Sequence, residues 1–260
     1  MEDGLVFYER EEEGIEEETS KIFVDLASLQ GLKEVSQKFL EVNNFDLSHE
    51  PLVEDMKEEE FLRFIEKGVS EEVSEKISEL GITETLRNNM SQVYNHKRKK
   101  TRIFIYFLDK QGSVGLDSYK EFSKLLVKLN CNEGVLVSEN PLTSPAMNSL
   151  KGANIPSSLE NVYNLISYTD DEFIDLTSHC LTPEVLEIYR EDEVEIFLKK
   201  YNLKLSQLPR MTVEDPICKF YRGKVGNIFK MKRKTGTQGT MIDEQITFRV
   251  VVHVSQKPKK

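Results

Sequence analysis

The residues with which this chain could do chemistry are scattered. Four histidines, His49, His96, His179 and His253, stand far apart, with no HxH or HExxH spacing to hold a metal. Three cysteines, Cys131, Cys180 and Cys218, form no CxxC. An odd, sparse set argues against a disulfide framework and against a zinc ribbon, and fits a reducing compartment. No GxSxG, P-loop or GxGxxG is present. Asp109-Lys110 follows a strand-like run, as the carboxylate and lysine of a metal-dependent nuclease would, but no second carboxylate can be assigned to it. The expectation is no catalytic residue, no metal, no cofactor and no small-molecule substrate, so that the chain is not itself an enzyme.

One stretch is built for presentation instead. In QLPRMTVEDP, Gln207 to Pro216, two prolines bracket an arginine and an aspartate without a glycine. Pro209 fixes its own φ and pushes Leu208 out of the helical region, and Pro216 does the same to Asp215. Asp215 can then accept local backbone N–H groups. The segment reads as a stiff bracket that offers the five-donor fork of Arg210 to a carboxylate or to carbonyls. Pairing of Arg210 inside its own domain, with Asp215, is the alternative.

Bulk properties bound what such a bracket can serve. The 260 residues suffice for two domains. The net charge is -10, from 45 acids against 35 bases, which argues against a free-standing nucleic-acid binder. The charge is uneven. Residues 1–20 hold nine acids and one base and read as a solvated acidic tail, with nucleic-acid mimicry as the sharper alternative. Bases cluster at Lys97, Arg98, Lys99, Lys100 and Arg102, just before the first strong strand. That run is either a solvated gatekeeper of an apolar strand or a contact to nucleic acid or acidic protein. No run of 18 apolar residues and no signal peptide is seen, so a soluble protein without a membrane is expected.

The elements that must position these residues follow from periodicity. Apolar spacings of three and four predict a helix within Lys21 to Glu50, and further helices over Glu58–Ile65 and Glu71–Leu80, the last ending at Gly81. Arg102–Leu108 (RIFIYFL) reads as a strand, Ser118–Leu129 as an amphipathic helix, Gly134–Ser138 as a strand, Asn148–Lys151 as the start of a helix and Val162–Ser167 as a strand. That alternation implies an α/β layer with right-handed crossovers. In the last third, Glu191–Tyr201 reads as a helix, and Val225–Met231 and Ile246–Val254 as strands of a long-looped hairpin, a compact α+β unit.

The order of residues in that unit resembles the fifth subunit shared by eukaryotic nuclear RNA polymerases, a family whose C-terminal domain also occurs in archaea as a separate small polymerase subunit. His179, Leu181 and Pro183 come first, then the helix to Tyr201, Gln207-Leu208-Pro209-Arg210, Asp215-Pro216, Phe220-Tyr221, Gly226 before NIFKM, Arg233, Thr235, Thr237 and Gly239, and finally Thr247-Phe248-Arg249. Weaker similarity runs upstream through RIFIYFL, GVLVS and LTSPAMNSL, so that it spans roughly residues 29–254. The chain departs from the family at Arg222 (usually glycine), Val225 (usually basic), four extra residues near Met241–Glu244, Thr143-Ser144-Pro145-Ala146 in place of Thr-Pro-Ser-Ala, and Met147 in place of lysine. The acidic tail has no counterpart in the family.

The resemblance implies a tail over 1–28, a restriction-endonuclease-like three-layer α/β jaw domain over 29–170, and a small α+β assembly domain with a mixed sheet over 171–260. It implies docking on the largest polymerase subunit, contact with other subunits, and weak or indirect proximity to downstream DNA at Thr143, Ser144 and Pro145. Interface residues would come from His179, Pro183, Gln207, Leu208, Pro209, Arg210, Asp215, Pro216, Tyr221, Gly226, Phe248 and Arg249, with Arg210, Tyr221 and Phe248 as anchors. Gly226 reads first as a fold residue, needed for positive φ or close approach. The place of action would be the nucleus, or a virion or cytoplasmic factory for a large DNA virus. The competing reading is a free-standing DNA-binding adaptor or degenerate nuclease on the same fold.

Overall fold

The computed structural model describes residues 5–8, 22–68, 70–83, 85–110, 112–154, 163–179, 181–235 and 243–253. The acidic block at 9–21, Cys180, the loop 236–242 with Thr237 and Gly239, and the terminal lysines fall outside them. The chain divides into two compact units, Met1–Ile174 and Asp175–Lys260.

In the first unit, β1 (Leu5–Tyr8) pairs antiparallel with β2 (Ile22–Asp25), in the register Leu5 to Asp25. This corrects two expectations. The N-terminal segment reads as an acidic tail, yet its start forms a strand. The helix expected from Lys21 begins only after β2, as α1 (Leu26–Val42). Ile22 to Val24 is a short apolar run, and a partner strand overrides the helical spacing of its first two members.

There follow α2 (Glu58–Glu66), α3 (Glu71–Glu79), the single turn α4 (Leu86–Asn89) and β3 (Gln92–Asn95). Then come β4 (Arg102–Leu108), α5 (Leu116–Lys128), β5 (Glu133–Ser138), α6 (Ser144–Ala153) and β6 (Asn164–Thr169). The sheet order is β3-β4-β5-β6. The β3 strand is antiparallel, and β4, β5 and β6 are mutually parallel. The strand–helix–strand alternation dictates this, since a parallel pair needs a crossover and the helices provide it.

Helices cover both faces of the sheet. On one, Phe104, Tyr106 and Leu108 of β4 pack with Val73 and Ile77 of α3, Phe122, Leu125 and Leu126 of α5, and Leu150 of α6. The rings of Tyr106 and Phe122 stack at 6.1 Å. On the other, Phe39 of α1 meets Tyr168 of β6 edge-on at 6.4 Å. Gly134 lets β5 close on this core, because a Cβ there would lie 2.8 Å from Phe122.

Polar residues of α1 fix the loop after it. Gln37 accepts the Val53 N–H at 3.0 Å and donates to the Pro51 carbonyl at 2.8 Å, and Gln30 donates to the Val53 and Met56 carbonyls. Lys33 is fully buried. Its Nζ lies 2.6 Å from the Glu50 carboxylate and donates to the Met90 carbonyl and to the Tyr94 hydroxyl, which in turn donates to Glu50 at 2.7 Å. Burial pulls the Lys33 pKa down while Glu50 opposes it, and burial beside Glu50 pushes Tyr94 well up.

In the second unit come β7 (Glu184–Tyr189), α7 (Asp192–Tyr201), a 3-10 turn over Leu205–Gln207, β8 (Arg210–Thr212), α8 (Pro216–Phe220), β9 (Ile228–Thr235) and β10 (Asp243–Val252). Their order in the sheet is β7-β9-β10-β8. The β9–β10 hairpin is antiparallel, β7 adds antiparallel to β9 with a bulge between Val185 and Glu187, and β8 runs parallel to β10. Each face has its own core. Val194, Phe197, Leu208, Ile228 and Val250 form one, and Met211, Cys218, Phe229, Met231 and Val251 the other.

Removing one member of a buried ion pair strands the other. Lys33→Met should therefore cost about 3–5 kcal/mol, with Lys33→Met/Glu50→Gln recovering a large part of it. Urea denaturation of the four corners of this double-mutant cycle reads the coupling directly. Additive losses would show that the pair is not one unit.

Candidate subunit interface

The stretch from Gln207 to Pro216 is not a loop between elements, as its prolines suggest. It is an edge strand with a cap on either side. Gln207 closes the preceding turn, its side chain accepting the Lys204 N–H at 2.7 Å. The Pro209 carbonyl accepts the Val250 N–H at 2.8 Å, and the Val213 N–H reaches the Val252 carbonyl at 3.2 Å, so β10 grips the strand at both ends. Leu208 is only 7% exposed and lies in the core under α7, whereas Met211 lies in the core beside α8. The segment is thus pinned by one side chain to each face of the sheet. Leu208, expected as an interface residue, is a core residue.

Pro209 and Arg210 are left exposed between those pins. Arg210 sits beside Val250 in the ladder, and among the described residues its guanidinium has no ion-pair partner. Asp215, the alternative partner for Arg210, is occupied. It caps α8 by accepting the Ile217 N–H at 3.0 Å, with Pro216 at the first helical position.

The remaining expected residues separate by contact. His179 is exposed, and its Nδ1 accepts the Leu181 N–H at 3.3 Å, holding a turn whose Leu181 is 81% exposed. Pro183 is half-buried at the start of β7. Tyr221 packs edge-on against Phe229, and its carbonyl accepts from Arg190 at 3.0 Å. Burial, then Asp175 and Glu184, raises its pKa. Gly226 has φ +92° and open space where a Cβ would be, so positive φ rather than close approach explains it. Close approach belongs to Gly223, where a Cβ would lie 2.7 Å from the Cys218 sulfur and from the Phe229 ring. Phe248 lies half-buried between Phe197 at 5.0 Å and Tyr201 at 5.9 Å, and Arg249 is half-buried opposite Phe229 in the ladder. Arg222, the departure from glycine, has φ +54°. That left-handed backbone is what a glycine would adopt without strain.

Sequence reasoning missed the exposed apolar residues. Leu186 stands at the bulge of β7, and Val225, Ile196 and Ile246 are also exposed. Ile196 lies off the helical stripe of α7, and that spacing was the available signal. A charged ladder flanks Ile246, with Lys232 held by Glu244 at 2.7 Å and near Glu184 at 4.0 Å.

In the first unit the two expected nucleic-acid contacts do not come together. Thr143, Ser144 and Pro145 open α6, beyond the C-terminal end of β5, whereas Lys97–Lys100 form the turn before β4. Because β4 and β5 are parallel, these lie at opposite ends of the strands, roughly 20 Å apart along them.

Among the described residues, no group of three or more His, Cys, Asp or Glu could hold a metal, and no helix is long and apolar enough to cross a membrane. Burial pushes the Cys131 thiol up to about 11 and the Cys218 thiol up to about 12, so neither is a nucleophile near neutrality.

The C-terminal unit is thus a mixed-sheet α+β domain that offers an arginine from a pinned edge strand. Residues 174–251 match the family model of the RNA polymerase Rpb5 C-terminal domain. Over a longer span it is 28% identical across 151 residues to the Dictyostelium discoideum DNA-directed RNA polymerases I, II and III subunit rpabc1, covering 58% of this chain and 72% of that protein. It is 26% identical across 167 residues to the Caenorhabditis elegans subunit RPABC1, covering 64% and 74%. The resemblance carried by His179 to Arg249 is borne out.

Two outcomes check this assignment of side chains. Asp215→Ala should lower the stability of the C-terminal unit by about 1 kcal/mol, the worth of an N-cap, while Arg210→Ala leaves the unfolding midpoint in place; thermal unfolding of the two variants measures both. A thiol titration of the native chain at pH 8 should find Cys131 and Cys218 reacting only as fast as the protein opens, with any fast thiol being Cys180.

Proposed function

We propose that this chain is a non-catalytic subunit of a multisubunit DNA-dependent RNA polymerase, acting in the nucleus of a cell. Its C-terminal unit docks on the largest subunit, and its N-terminal unit serves as a jaw near downstream DNA. The observation that carries the reading is the family match over 174–251, in a unit whose exposed arginine is held by the fold rather than paired within it. The curated relatives are, by their names, subunits of polymerases I, II and III.

Physical chemistry agrees with docking. Interfaces draw their affinity from a few anchors, aromatic residues and arginine above all, set in a surface that excludes water. The edge strand β8 offers Pro209 and Arg210 without ordering cost, since β10 and the two buried side chains have already fixed it. Exposed Leu181 and Leu186, together with Tyr221, supply apolar area for the same purpose. The N-terminal unit, an antiparallel-edged parallel sheet with helices on both faces, is consistent with a restriction-endonuclease-like jaw that has no catalytic duty here.

Affinity purification of the tagged chain from its source, followed by intact-complex mass, tests this. One copy beside the two large polymerase subunits is the expected result, and recovery as a free monomer overturns it. In the same assay Arg210→Ala should weaken docking roughly 30-fold without loss of fold. Unchanged recovery would remove Arg210 from the interface.

A further inference from the structure

We infer that the turn between β3 and β4, Lys97 to Lys100, is a contact for the phosphate backbone of nucleic acid. This goes beyond the docking reading. The turn belongs to the N-terminal unit, lies at the far end of its strands from Thr143–Pro145, and can be tested without a polymerase.

Four consecutive cations, Lys97, Arg98, Lys99 and Lys100, stand exposed at this tip. Their backbone is held in shape. The Arg98 and Lys99 N–H groups both donate to His96 Nδ1, at 3.0 and 3.1 Å. The His96 N–H donates to the Thr101 carbonyl at 3.0 Å, and the Lys97 N–H to the Asn44 carbonyl at 2.9 Å. The imidazole itself is seated edge-on against the buried Phe45 ring at 5.2 Å. The charges therefore project from a clamped platform.

They are also left uncompensated. Among the described residues, Arg98, Lys99 and Lys100 have no carboxylate partner, and Lys97 is only a minor influence on Asp46, whose carboxyl is held low chiefly by Ser48. Neighbouring cations are treated differently. Arg102 makes a bidentate pair with Glu72 at 2.9 Å, and Lys76 and Lys128 share Glu79. In a chain with more acids than bases, a run of four cations with only Asp46 near its first member repels itself. A polyanion relieves that repulsion.

The chemistry of the tip selects which polyanion. It exposes no aromatic or apolar side chain, so it lacks the anchors that give a protein interface its affinity. Phosphate contacts need none, since lysine and arginine gain affinity there by releasing counterions. The contact is independent of base sequence.

The test uses the full chain and a fluorescein-labelled 20-base-pair DNA duplex of mixed sequence, read by anisotropy from 25 to 150 mM KCl. Wild type should bind with a slope of log affinity against log salt of about -3, from roughly 0.9 per phosphate at three to four contacts. The variant Lys97→Gln/Arg98→Gln/Lys99→Gln/Lys100→Gln should bind at least tenfold more weakly at 25 mM and lose most of that slope. Its unfolding midpoint should match wild type, because the replaced side chains are exposed. Lys97→Arg/Lys99→Arg/Lys100→Arg should bind as wild type does. No wild-type binding at 25 mM, or binding that survives neutralisation of the tip, overturns the inference. So does capture of a poly-glutamate peptide without capture of the duplex, which would assign the tip to an acidic protein. None of these results changes the co-purification outcome, so the two readings fail separately.

Discussion

A strand buried on both faces governs the N-terminal unit. From Ile103 to Leu108 every residue of β4 is buried, and its neighbours on either side are strands. Neither face can meet water, so each must be covered by helices, and the helices in turn must lie between the strands they cover. The run RIFIYFL shows no alternation for this reason. The position of α5 and α6, the closeness allowed by Gly134 and the aromatic stack on Phe122 all follow from the need to seal that one strand.

The C-terminal unit solves a smaller problem with a different device. Its sheet carries a core on each face, under α7 and beside α8, and the chain has to pass from one to the other. It does so along β8, where Leu208 enters the first core and Met211 the second. The residues between are left outside with their backbone already committed to β10. Presentation of Arg210 is a consequence of the crossing. A side chain in that place keeps its direction without further loss of entropy, which is what a docking residue needs.

Both units therefore offer charge from rigid backbone. Among the described residues, the Cys131 and Cys218 thiols are buried and raised, and the fully buried Lys33 is consumed by Glu50 and Tyr94. The exposed charges include an arginine on one unit and a cationic turn on the other.

Much of this was legible in the residues. RIFIYFL, the stripe of α5, the stop at Gly81 and the order from His179 to Arg249 sufficed for the strands, the crossovers and the family, because apolar periodicity reports burial directly. Other features were not. The helix ends at Asn44, Asn130 and Asn202 use left-handed asparagine where glycine is the usual signal. The strands β1, β3, β7 and β8 are short, and their pairing is decided by a distant partner. Lys33, Ser36 and Gln37 are polar residues of α1 yet buried: a loop some fifteen residues away bonds Gln37 and brings Glu50 to Lys33, which also donates to Met90 and Tyr94, while Ser36 donates back to the Lys33 carbonyl. The sequence by itself determined which segments are apolar enough to be hidden and which family the C-terminal order resembles. Only the tertiary structure decided that QLPRMTVEDP holds an edge strand, that Leu208 points in while Arg210 stays out, and that, among the described residues, Arg98, Lys99 and Lys100 have no carboxylate partner. Direction and neighbours depend on residues far away in the chain, and local spacing does not carry them.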